Sequence, residues 1–356
     1  MYQHNFNAGP SHLPESVLKQ SIGAIKNFDD TGLSILEISH RSENFTTVIE
    51  EARSIAKELM NLEDDFEVLF LHGGGRTQFM EVAMNLLDND KKAAYIDTGT
   101  WSSKAIEEAQ LFGKVEVIAS SKDKNYSYIP QSYSIPEDAS YLHITTNNTI
   151  YGTEYQNIPA CTIPLVADMS SDILSRDINF NRFSLIYAGA QKNIGAAGVT
   201  LVAVRKSILG KIKRPIPAIM DYCVHIKNGS MYNTPPVFAI YTCLLTLRWL
   251  KEQGGAAGIE KMNIRKAEAL YHEIDTNPLF KGTVAKEDRS RMNVCFVMED
   301  KDLEKEFADY CKKEGMYGIK GHRSVGGFRV SLYNAVSLES TKALVQAMEH
   351  FAKVKA

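Results

Sequence analysis

Short apolar runs alternate with longer amphipathic stretches through the middle of the chain. The runs are rich in β-branched residues and continuously apolar, which is typical of strands buried on both faces. In chain order they are FEVLFL, KAAYIDTG, KVEVIA, SYLHIT, IPLVAD, FSLIYAG and VTLVAV. The stretches RTQFMEVAMNLLD and TWSSKAIEEAQLFG lie between the first three runs and predict helices. This alternation predicts a mostly parallel sheet covered by helices.

The pattern changes after Lys251. NVCFVM and GFRVSLY predict strands there, and helices are predicted for KMNIRKAEALYHEIDT, DLEKEFADYCKKEG and STKALVQAMEHFAKV. We therefore expect a large α/β domain over residues 1–250 and a smaller C-terminal α+β domain over residues 251–356. The loop-rich N-terminal segment, up to about residue 40, is expected to pack against one of these domains.

Composition narrows the possible partners and compartments. The formal net charge is −3, so no overall field attracts nucleic acid or an anionic membrane. No stretch approaches the roughly 20 apolar residues of a membrane span, and the N-terminus does not resemble a signal peptide. The five cysteines are scattered without metal-ligand or CxxC spacing, which argues against disulfides and zinc. We expect a cytoplasmic protein without a metal.

Lys192 stands in the stretch IYAGAQKNIGAAGVTLVAV, whose middle otherwise holds mainly small residues. For a single lysine, exposure on the surface is the ordinary interpretation. Here the lysine lies between two predicted buried strands, and its small neighbours would let a flat group approach the backbone. A desolvated lysine can have a lowered pKa and can form an imine with a carbonyl compound. Lys192 is therefore a candidate cofactor lysine.

Asp168 ends the predicted strand IPLVAD. In open α/β sheets, ligands collect at the carboxyl ends of the strands. A carboxylate at this place could pair with a pyridinium nitrogen and keep it protonated, which is the contribution a protein makes to pyridoxal phosphate. The alternative is an aspartate that only caps the start of a helix.

Two further stretches follow predicted strands. LHGGGRTQF joins a strand end, glycines and a helix start, and the N–H groups of such a turn can bind phosphate. It matches neither nucleotide-binding glycine fingerprint, and a plain tight turn stays an alternative. In DTGTWSSKA, Trp101 opens a helix and could stack on an aromatic ring, although core packing is the more usual role of a lone tryptophan.

Seven stretches, in the same order along nearly the whole chain, resemble those of the phosphoserine aminotransferase family. Members of this family are fold-type I pyridoxal-phosphate enzymes of aminotransferase class V. The stretches are FNAGP, EISHRS, HGGGRTQF, ADMSSDILSR, YAGAQKNIGAAGVTLV, MYNTPP and GHRSVGGFRVSLYNA. The resemblance implies an α/β fold with a mostly parallel seven-stranded sheet in the large domain, and a homodimer with shared active sites. TTNNTI and NIGAAG depart from the usual Pro-Asn-Glu-Thr and NIGPAG runs, which puts only the local loop shape in doubt.

The resemblance also implies roles for individual residues at the cofactor. Lys192 would bind pyridoxal phosphate covalently, Asp168 would pair with its ring nitrogen, and Trp101 would stack on its ring. Thr149 would hydrogen-bond on the side of the ring hydroxyl. The cofactor phosphate would be bound by Gly75, Arg76 and Gln191 of the same chain and by Asn233 and Thr234 of the partner subunit.

The implied reaction transfers the amino group of L-glutamate to 3-phosphohydroxypyruvate, giving 2-oxoglutarate and O-phospho-L-serine by a reversible ping-pong mechanism. Lys192 would be the base that moves the α-proton. Both substrates carry two anionic groups, which arginine forks bind bidentately. Arg329, inside a predicted strand, is expected to anchor the α-carboxylate. The phosphate or the distal carboxylate would be bound by His40, Arg41, His322 and Arg323.

Two alternatives stay open at this point. Another fold-type I enzyme, such as an alanine–glyoxylate aminotransferase or a cysteine desulfurase, would share Lys192 and Asp168. It would not need two basic loops, and a desulfurase would need a cysteine in an exposed loop. A non-catalytic dimeric binding protein of this fold would be expected to lack Lys192 or Asp168, yet both are present.

Overall fold

The structure, a computed structural model, describes residues 3–355. Its strands are β1 (His4–Asn5), β2 (Phe66–His72), β3 (Lys92–Asp97), β4 (Lys114–Ser120), β5 (Leu142–Thr145), β6 (Leu165–Asp168), β7 (Leu185–Gly189), β8 (Val199–Arg205), β9 (Phe280–Gly282), β10 (Asn293–Met298), β11 (Met316–Tyr317) and β12 (Phe328–Ser331). Its helices are α1 (Glu15–Lys26), α2 (Glu43–Leu59), α3 (Gly75–Leu86), α4 (Thr100–Ala109), α5 (Tyr222–Lys227), α6 (Val237–Glu252), α7 (Gly255–Thr276), α8 (Leu303–Lys313) and α9 (Leu338–Lys355). Every strand and helix predicted from the apolar pattern is present.

A seven-stranded sheet organises the larger part of the molecule, in the order β2-β8-β7-β6-β5-β3-β4. Neighbouring strands are parallel except at β8, which is antiparallel to both β2 and β7. Because β8 reverses the direction on both sides, β2 runs in the same direction as β7. The carboxyl ends of β2, β3, β5, β6 and β7 therefore lie at one edge of the sheet, and the predicted mostly parallel sheet is confirmed.

Helices cover both faces of this sheet, and the strands alternate between the two resulting cores. In β2, Val68 and Phe70 pack into the core that includes the buried faces of α2 and α6. Their neighbours Leu69 and Leu71 pack on the other face, against α3 and α4. A strand that must be apolar on both faces reads as a continuous apolar run, which explains the sequence pattern.

Strand β4 departs from the expectation of burial on both faces. It lies at the edge of the sheet and pairs only with β3. Lys114, Glu116 and Val117 are exposed, and Val117 retains 46% of its accessible surface. Charged side chains on an edge strand discourage pairing with another chain, so the alternation of KVEVIA reflects its edge position.

The C-terminal part forms a second, smaller unit around an antiparallel sheet of β9, β10 and β12. Helices α7, α8 and α9 contribute to its separate core. Phe307 contacts the rings of Phe280, Phe328 and Phe351 within that core. The predicted α+β character is thereby confirmed, while the division at residue 250 stays a prediction.

The N-terminal segment packs against both units, which corrects the expectation that it would pack against one. Strand β1 pairs with β11 in the smaller unit, where Phe6 is also buried. Ala24, Phe28 and Ile35 pack into the core of the larger unit. The segment also contains α1, and the helices α1, α2, α5 and α6 all lie outside the sequence predictions.

None of the helices between residues 3 and 355 has the length and apolar character that a bilayer crossing requires. The five cysteines are unpaired thiols, and Cys243, Cys295 and Cys311 are buried.

Candidate active site

The predicted cofactor residues converge at the edge where the strands end. Gly75 follows β2 and Trp101 follows β3. Thr149 follows β5, Asp168 is the last residue of β6, and Lys192 follows β7. Five residues that lie far apart in sequence therefore share one edge of the sheet, where open α/β folds bind their ligands.

Lys192 is partly buried and points at Thr149. Its Nζ donates a hydrogen bond to Thr149 Oγ1 at 2.6 Å. Burial lowers the pKa of the Lys192 amine to about 8, although the nearby Asp168 carboxylate opposes this shift. The positive charge of Arg329 adds to the lowering. A substantial fraction of this amine is therefore neutral, and thus nucleophilic, at mildly alkaline pH.

Asp168 is buried at the end of β6, with 6% of its surface exposed. Its Oδ1 accepts a hydrogen bond from the backbone N–H of Ser170 at 2.9 Å. Burial raises the pKa of this carboxyl, while Lys192 and Ser170 act in the opposite direction. A buried carboxylate of this kind is suited to bind a protonated ring nitrogen.

The start of α3 meets the loop of Lys192 around Ser170. A Cβ on Gly75 would lie 2.7 Å from Ser170 Oγ, so a larger residue there would displace this hydroxyl. Ser170 Oγ in turn accepts the N–H of Gly189 at 3.1 Å. A Cβ on Gly189 would lie 2.8 Å from Gln191 Oε1 and 3.2 Å from the Gly75 nitrogen. The structure thus brings Gly75 and Gln191 together at a helix N-terminus, where an anion is favoured.

Trp101 and Arg76 also lie close to each other. The guanidinium carbon of Arg76 is 5.9 Å from the Trp101 ring centroid. Trp101 Nε1 is buried and has no hydrogen-bond partner among residues 3–355. A buried indole N–H normally finds a partner, so this donor is free for a bound group.

The predicted substrate cations are only partly brought together. Arg329 lies on β12 and acts electrostatically on Lys192, and its Nε is buried without a partner in the described chain. Burial lowers the pKa of His322, and the charges of Arg329 and Arg323 lower it further. His322 Nδ1 lies 2.7 Å from Ser324 Oγ. His40 and Arg41 lie on the loop before α2, and no described contact links them to Lys192.

Asn233 and Thr234 are expected to act from a partner subunit. Within their own chain they lie near the start of HGGGRTQF, the stretch expected to bind phosphate. Asn233 Nδ2 is 3.2 Å from His72 Nδ1, at the end of β2. Thr234 is exposed. Contact with a second subunit stays a prediction for both residues.

The small residues around Lys192 have a further reason besides access for a flat group. A Cβ on Gly195 would lie 2.6 Å from Cys243 Sγ and 3.1 Å from the Cys243 Cα. The loop after Lys192 therefore packs directly on α6. At Gly198, by contrast, no atom lies within 4 Å of an added Cβ.

Comparison with known proteins agrees with this geometry. The family model described as Aminotransferase class-V matches residues 3–344. A phosphoserine aminotransferase of Parabacteroides distasonis is 57% identical over 355 residues, 99% of each chain. The chain belongs to the phosphoserine aminotransferase family of class-V aminotransferases. The resemblance and the fold class inferred from the sequence motifs are confirmed.

Solved structures of this family share the whole fold. The phosphoserine aminotransferase of Bacillus circulans subsp. alkalophilus has a TM-score of 0.97 at 43% identity, over 100% of this chain and 99% of that one. A PLP-bound phosphoserine aminotransferase from Trichomonas vaginalis has a TM-score of 0.93 at 37% identity, over 98% and 100% of the two chains.

The site of this family member fits pyridoxal phosphate on its own geometry. It offers an amine in Lys192, a buried carboxylate in Asp168 and an unpartnered indole N–H in Trp101. The glycine cradle at Gly75 begins a helix of 12 residues. An aldehyde would meet the Lys192 amine, a ring nitrogen would meet the Asp168 carboxylate, and a phosphate would meet the start of the helix.

Several residues that position the site were not predicted from the sequence. Asp97 is a buried carboxylate that accepts hydrogen bonds from four hydroxyl groups, those of Ser102, Ser103, Ser120 and Tyr126. It holds the start of α4, which carries Trp101. The signal was the run DTGTWSS, in which an aspartate at a strand end precedes two serines.

A second buried cluster lies behind Asp168. Thr146 Oγ1 donates to Asp172 Oδ1 at 2.6 Å, and Arg176 lies 3.4 Å from Asp172 and 3.3 Å from Glu154. Burial raises the pKa of Asp172, while the nearby Arg176 guanidinium opposes the rise and the Glu154 carboxylate adds to it. The four-residue spacing of Asp172 and Arg176 in ADMSSDILSR was the signal for this pair.

The N-terminal segment forms a wall of the site. The backbone N–H of Ser11 donates to the Gln191 carbonyl at 2.9 Å, and its hydroxyl donates to the Lys192 carbonyl. Tyr333 Oη donates to the Ala8 carbonyl at 2.8 Å. The motif FNAGP, which carried part of the family resemblance, therefore has a structural role beside Lys192.

Proposed function

We propose that this protein is a phosphoserine aminotransferase. It would transfer the amino group of L-glutamate to 3-phosphohydroxypyruvate, reversibly and with pyridoxal phosphate as cofactor. The main support is the position of the Lys192 amine. It donates to Thr149 and lies near buried Asp168, at the edge of the sheet where α3 begins. The assignment of relatives up to 57% identical supports the same activity.

The cofactor would be held by the residues that converge at this edge. Lys192 would bind it covalently, Asp168 would pair with its ring nitrogen, and Trp101 would pack on the ring. Phosphate contacts would come from Gly75, Arg76 and Gln191. When bound, pyridoxal phosphate supplies an electron-accepting ring that makes the α-proton of an amino acid easier to remove.

The chain's own residues then perform the proton transfer. Released from its covalent bond, Lys192 accepts the α-proton at Nζ, since its lowered pKa makes the neutral amine available as a base at mildly alkaline pH. Thr149 Oγ1 accepts a hydrogen bond from this amine and orients it. The Asp168 carboxylate would stabilise the positive charge of a protonated ring nitrogen at the opposite side of the site.

Cations would select the substrates. The positive charge of Arg329 lies close enough to lower the pKa of Lys192. Its Nε has no hydrogen-bond partner among residues 3–355, so Arg329 is available for the α-carboxylate that all substrates share. Around it, His322 and Arg323 would bind the phosphate or the distal carboxylate. His40 and Arg41 would join them from the loop before α2. The same chemistry would accept the 4-phosphohydroxythreonine pair of pyridoxine biosynthesis.

A homodimer with shared sites belongs to the same proposal. Helix α1 and the loop after it expose large apolar side chains, namely Leu18, Ile22, Ile25, Leu33 and Leu36. An exposed apolar surface of this kind favours association with another chain. Asn233 and Thr234 would reach the cofactor phosphate of the partner. Unpaired thiols favour the expected cytoplasmic location, and residues 1–250 and 251–356 remain the proposed domains.

Substrate comparison tests this function. We expect kcat/KM with glutamate as donor to be higher for 3-phosphohydroxypyruvate than for hydroxypyruvate, pyruvate or glyoxylate. Arg323→Ala should lower it for the phosphorylated keto acid by about tenfold or more, since a hydrogen bond to a charged group contributes roughly 1.5–3 kcal/mol. Arg329→Ala should weaken all keto acids alike. Preference for glyoxylate or pyruvate would instead favour the alanine–glyoxylate alternative, and an inactive holoprotein would favour a binding protein.

A further inference from the structure

Three buried asparagines connect the loop of Lys192 to the segment that follows β12, the strand that carries Arg329. Asn193 Oδ1 accepts the backbone N–H of Asn334 at 3.0 Å. Asn263 Nδ2 donates to Asn334 Oδ1 at 2.9 Å. All three side chains are at least 95% buried. We call Asn193, Asn263 and Asn334 the asparagine clasp.

The clasp also holds the turn that follows Asp168. Asn193 Nδ2 donates to the Ser171 carbonyl at 3.3 Å. Asn334 Nδ2 donates to the Leu174 carbonyl at 2.9 Å, and Asn263 Nδ2 donates to the Ser175 carbonyl at 2.8 Å. The clasp therefore joins three segments that each carry a proposed site residue.

A buried lysine on α7 holds the same segment after β12. Lys266 is fully buried, and its Nζ donates to the carbonyls of Leu332 and Tyr333 at 2.9 and 2.8 Å. Tyr333 reaches across to Ala8 through its hydroxyl. The segment directly before Asn334 is thus fixed on several sides.

The connectivity makes this arrangement relevant to substrates. Asn193 follows Lys192 directly, and Asn334 lies five residues after Arg329, in the segment that follows the end of β12 at Ser331. Between these two cations a substrate must place its α-carbon and its α-carboxylate. Buried hydrogen bonds that join separate segments hold them rigidly together, although Asn263 Oδ1 itself has no partner among residues 3–355. A misplacement of about 1 Å can cost roughly a hundredfold in rate.

We propose that the asparagine clasp positions Arg329 relative to Lys192 and so sets the common subsite for the α-amino or α-keto acid group. This inference rests on the proposed function. The asparagines are positioning residues and touch no reacting atom. The exposed residues Arg41 and Arg323 would distinguish one substrate from another, and the clasp does not contact them.

The test compares Asn193→Ala and Asn334→Ala with the wild-type holoenzyme, with rates expressed per bound cofactor. We expect kcat to fall about tenfold for 3-phosphohydroxypyruvate and for hydroxypyruvate alike, because both share the α-keto acid group. The affinity for glutarate, the glutamate skeleton without its amino group, should change by less than about twofold, since Arg329 itself remains. The double variant should be less impaired than the product of the single effects.

Asn277→Ala is the matched control. Asn277 is buried in the smaller unit, where its Nδ2 donates to Glu273 Oε1 at 2.6 Å, and it makes no hydrogen bond to the clasp. This variant should lower the melting temperature while kcat stays at the wild-type value. If Asn334→Ala does not fold, Asn193→Ala decides, because it leaves the bonds of Asn263 and Asn334 to the turn intact.

A measurement that needs no turnover completes the test. Hydrogen exchange of the Asn334 amide should be faster in Asn193→Ala than in the wild type, in both the presence and the absence of cofactor. Wild-type kcat in folded Asn193→Ala, or a loss confined to the phosphorylated substrate, would overturn the proposal. Failure of the proposed function is distinguishable, because the wild-type protein would then not transaminate at all.

Discussion

Fully buried Lys266 and partly buried Lys192 show how surroundings decide the use of a lysine. Lys266 donates to two backbone carbonyls, and burial lowers its pKa to about 7. Lys192 donates to one hydroxyl, and its pKa is lowered to about 8 beside the Asp168 carboxylate. Lys266 therefore fixes backbone, whereas Lys192 has an amine that can exchange its single partner for a ligand.

The Lys192 amine should react at lower pH than an ordinary lysine. Because burial lowers its pKa from 10.5 to about 8, the neutral form should predominate above about pH 8. Competitive acetylation of the cofactor-free protein, read by mass spectrometry for each lysine, should show half-maximal reactivity of Lys192 near that pH. Exposed Lys313 serves as the comparison. Coincident curves for the two lysines would refute the assignment.

At the scale of elements, the loop after β7 illustrates what a sequence can predict. The strands, the helices and the placement of Lys192 and Asp168 at strand ends follow from apolar periodicity and from parallel-sheet geometry. The contact of Gly195 with Cys243 does not, because it joins a loop to a helix that the periodicity left unassigned: α6 is apolar on nearly all sides. Lys266 was missed for a related reason, since an amphipathic helix pattern suggests a solvent-exposed lysine.

Gly195→Ala should destabilise this loop. Its Cβ would lie within 3.1 Å of the Cys243 nitrogen and Cα, which belong to α6 and cannot move independently. We expect the free energy of unfolding to fall by about 1–3 kcal/mol, a typical cost of overpacking, in denaturant titrations followed by circular dichroism. Cys243→Ala in the same background should restore only part of the loss, because the backbone contacts remain. An unchanged unfolding free energy would mean that the loop does not pack as described.

At the scale of the whole molecule, function is proposed to require two chains. The family resemblance implies that Asn233 and Thr234 serve a neighbouring site, and within a single chain Asn233 lies beside His72. The exposed apolar side chains of α1 and the loop after it are consistent with an interface to a second chain.

Hybrid dimers should reveal the shared site. Lys192→Ala lacks the cofactor lysine, and Asn233→Ala lacks the proposed contact to the partner's cofactor phosphate. Mixing the two variants in equal amounts under exchange conditions should restore about a quarter of wild-type activity, since half the dimers are then hybrids with one intact site. Activity that stays at the average of the two separate variants would mean that Asn233 acts within its own chain.

The most direct test of the proposed transamination is a single half-reaction. Holoprotein mixed with O-phospho-L-serine, in the absence of any keto acid, should release one equivalent of 3-phosphohydroxypyruvate per Lys192 site and then stop until 2-oxoglutarate is added. Lys192→Ala should release none within the same time, because it lacks the base that moves the α-proton. No release from the wild-type protein, or equal release from Lys192→Ala, would contradict the proposed function.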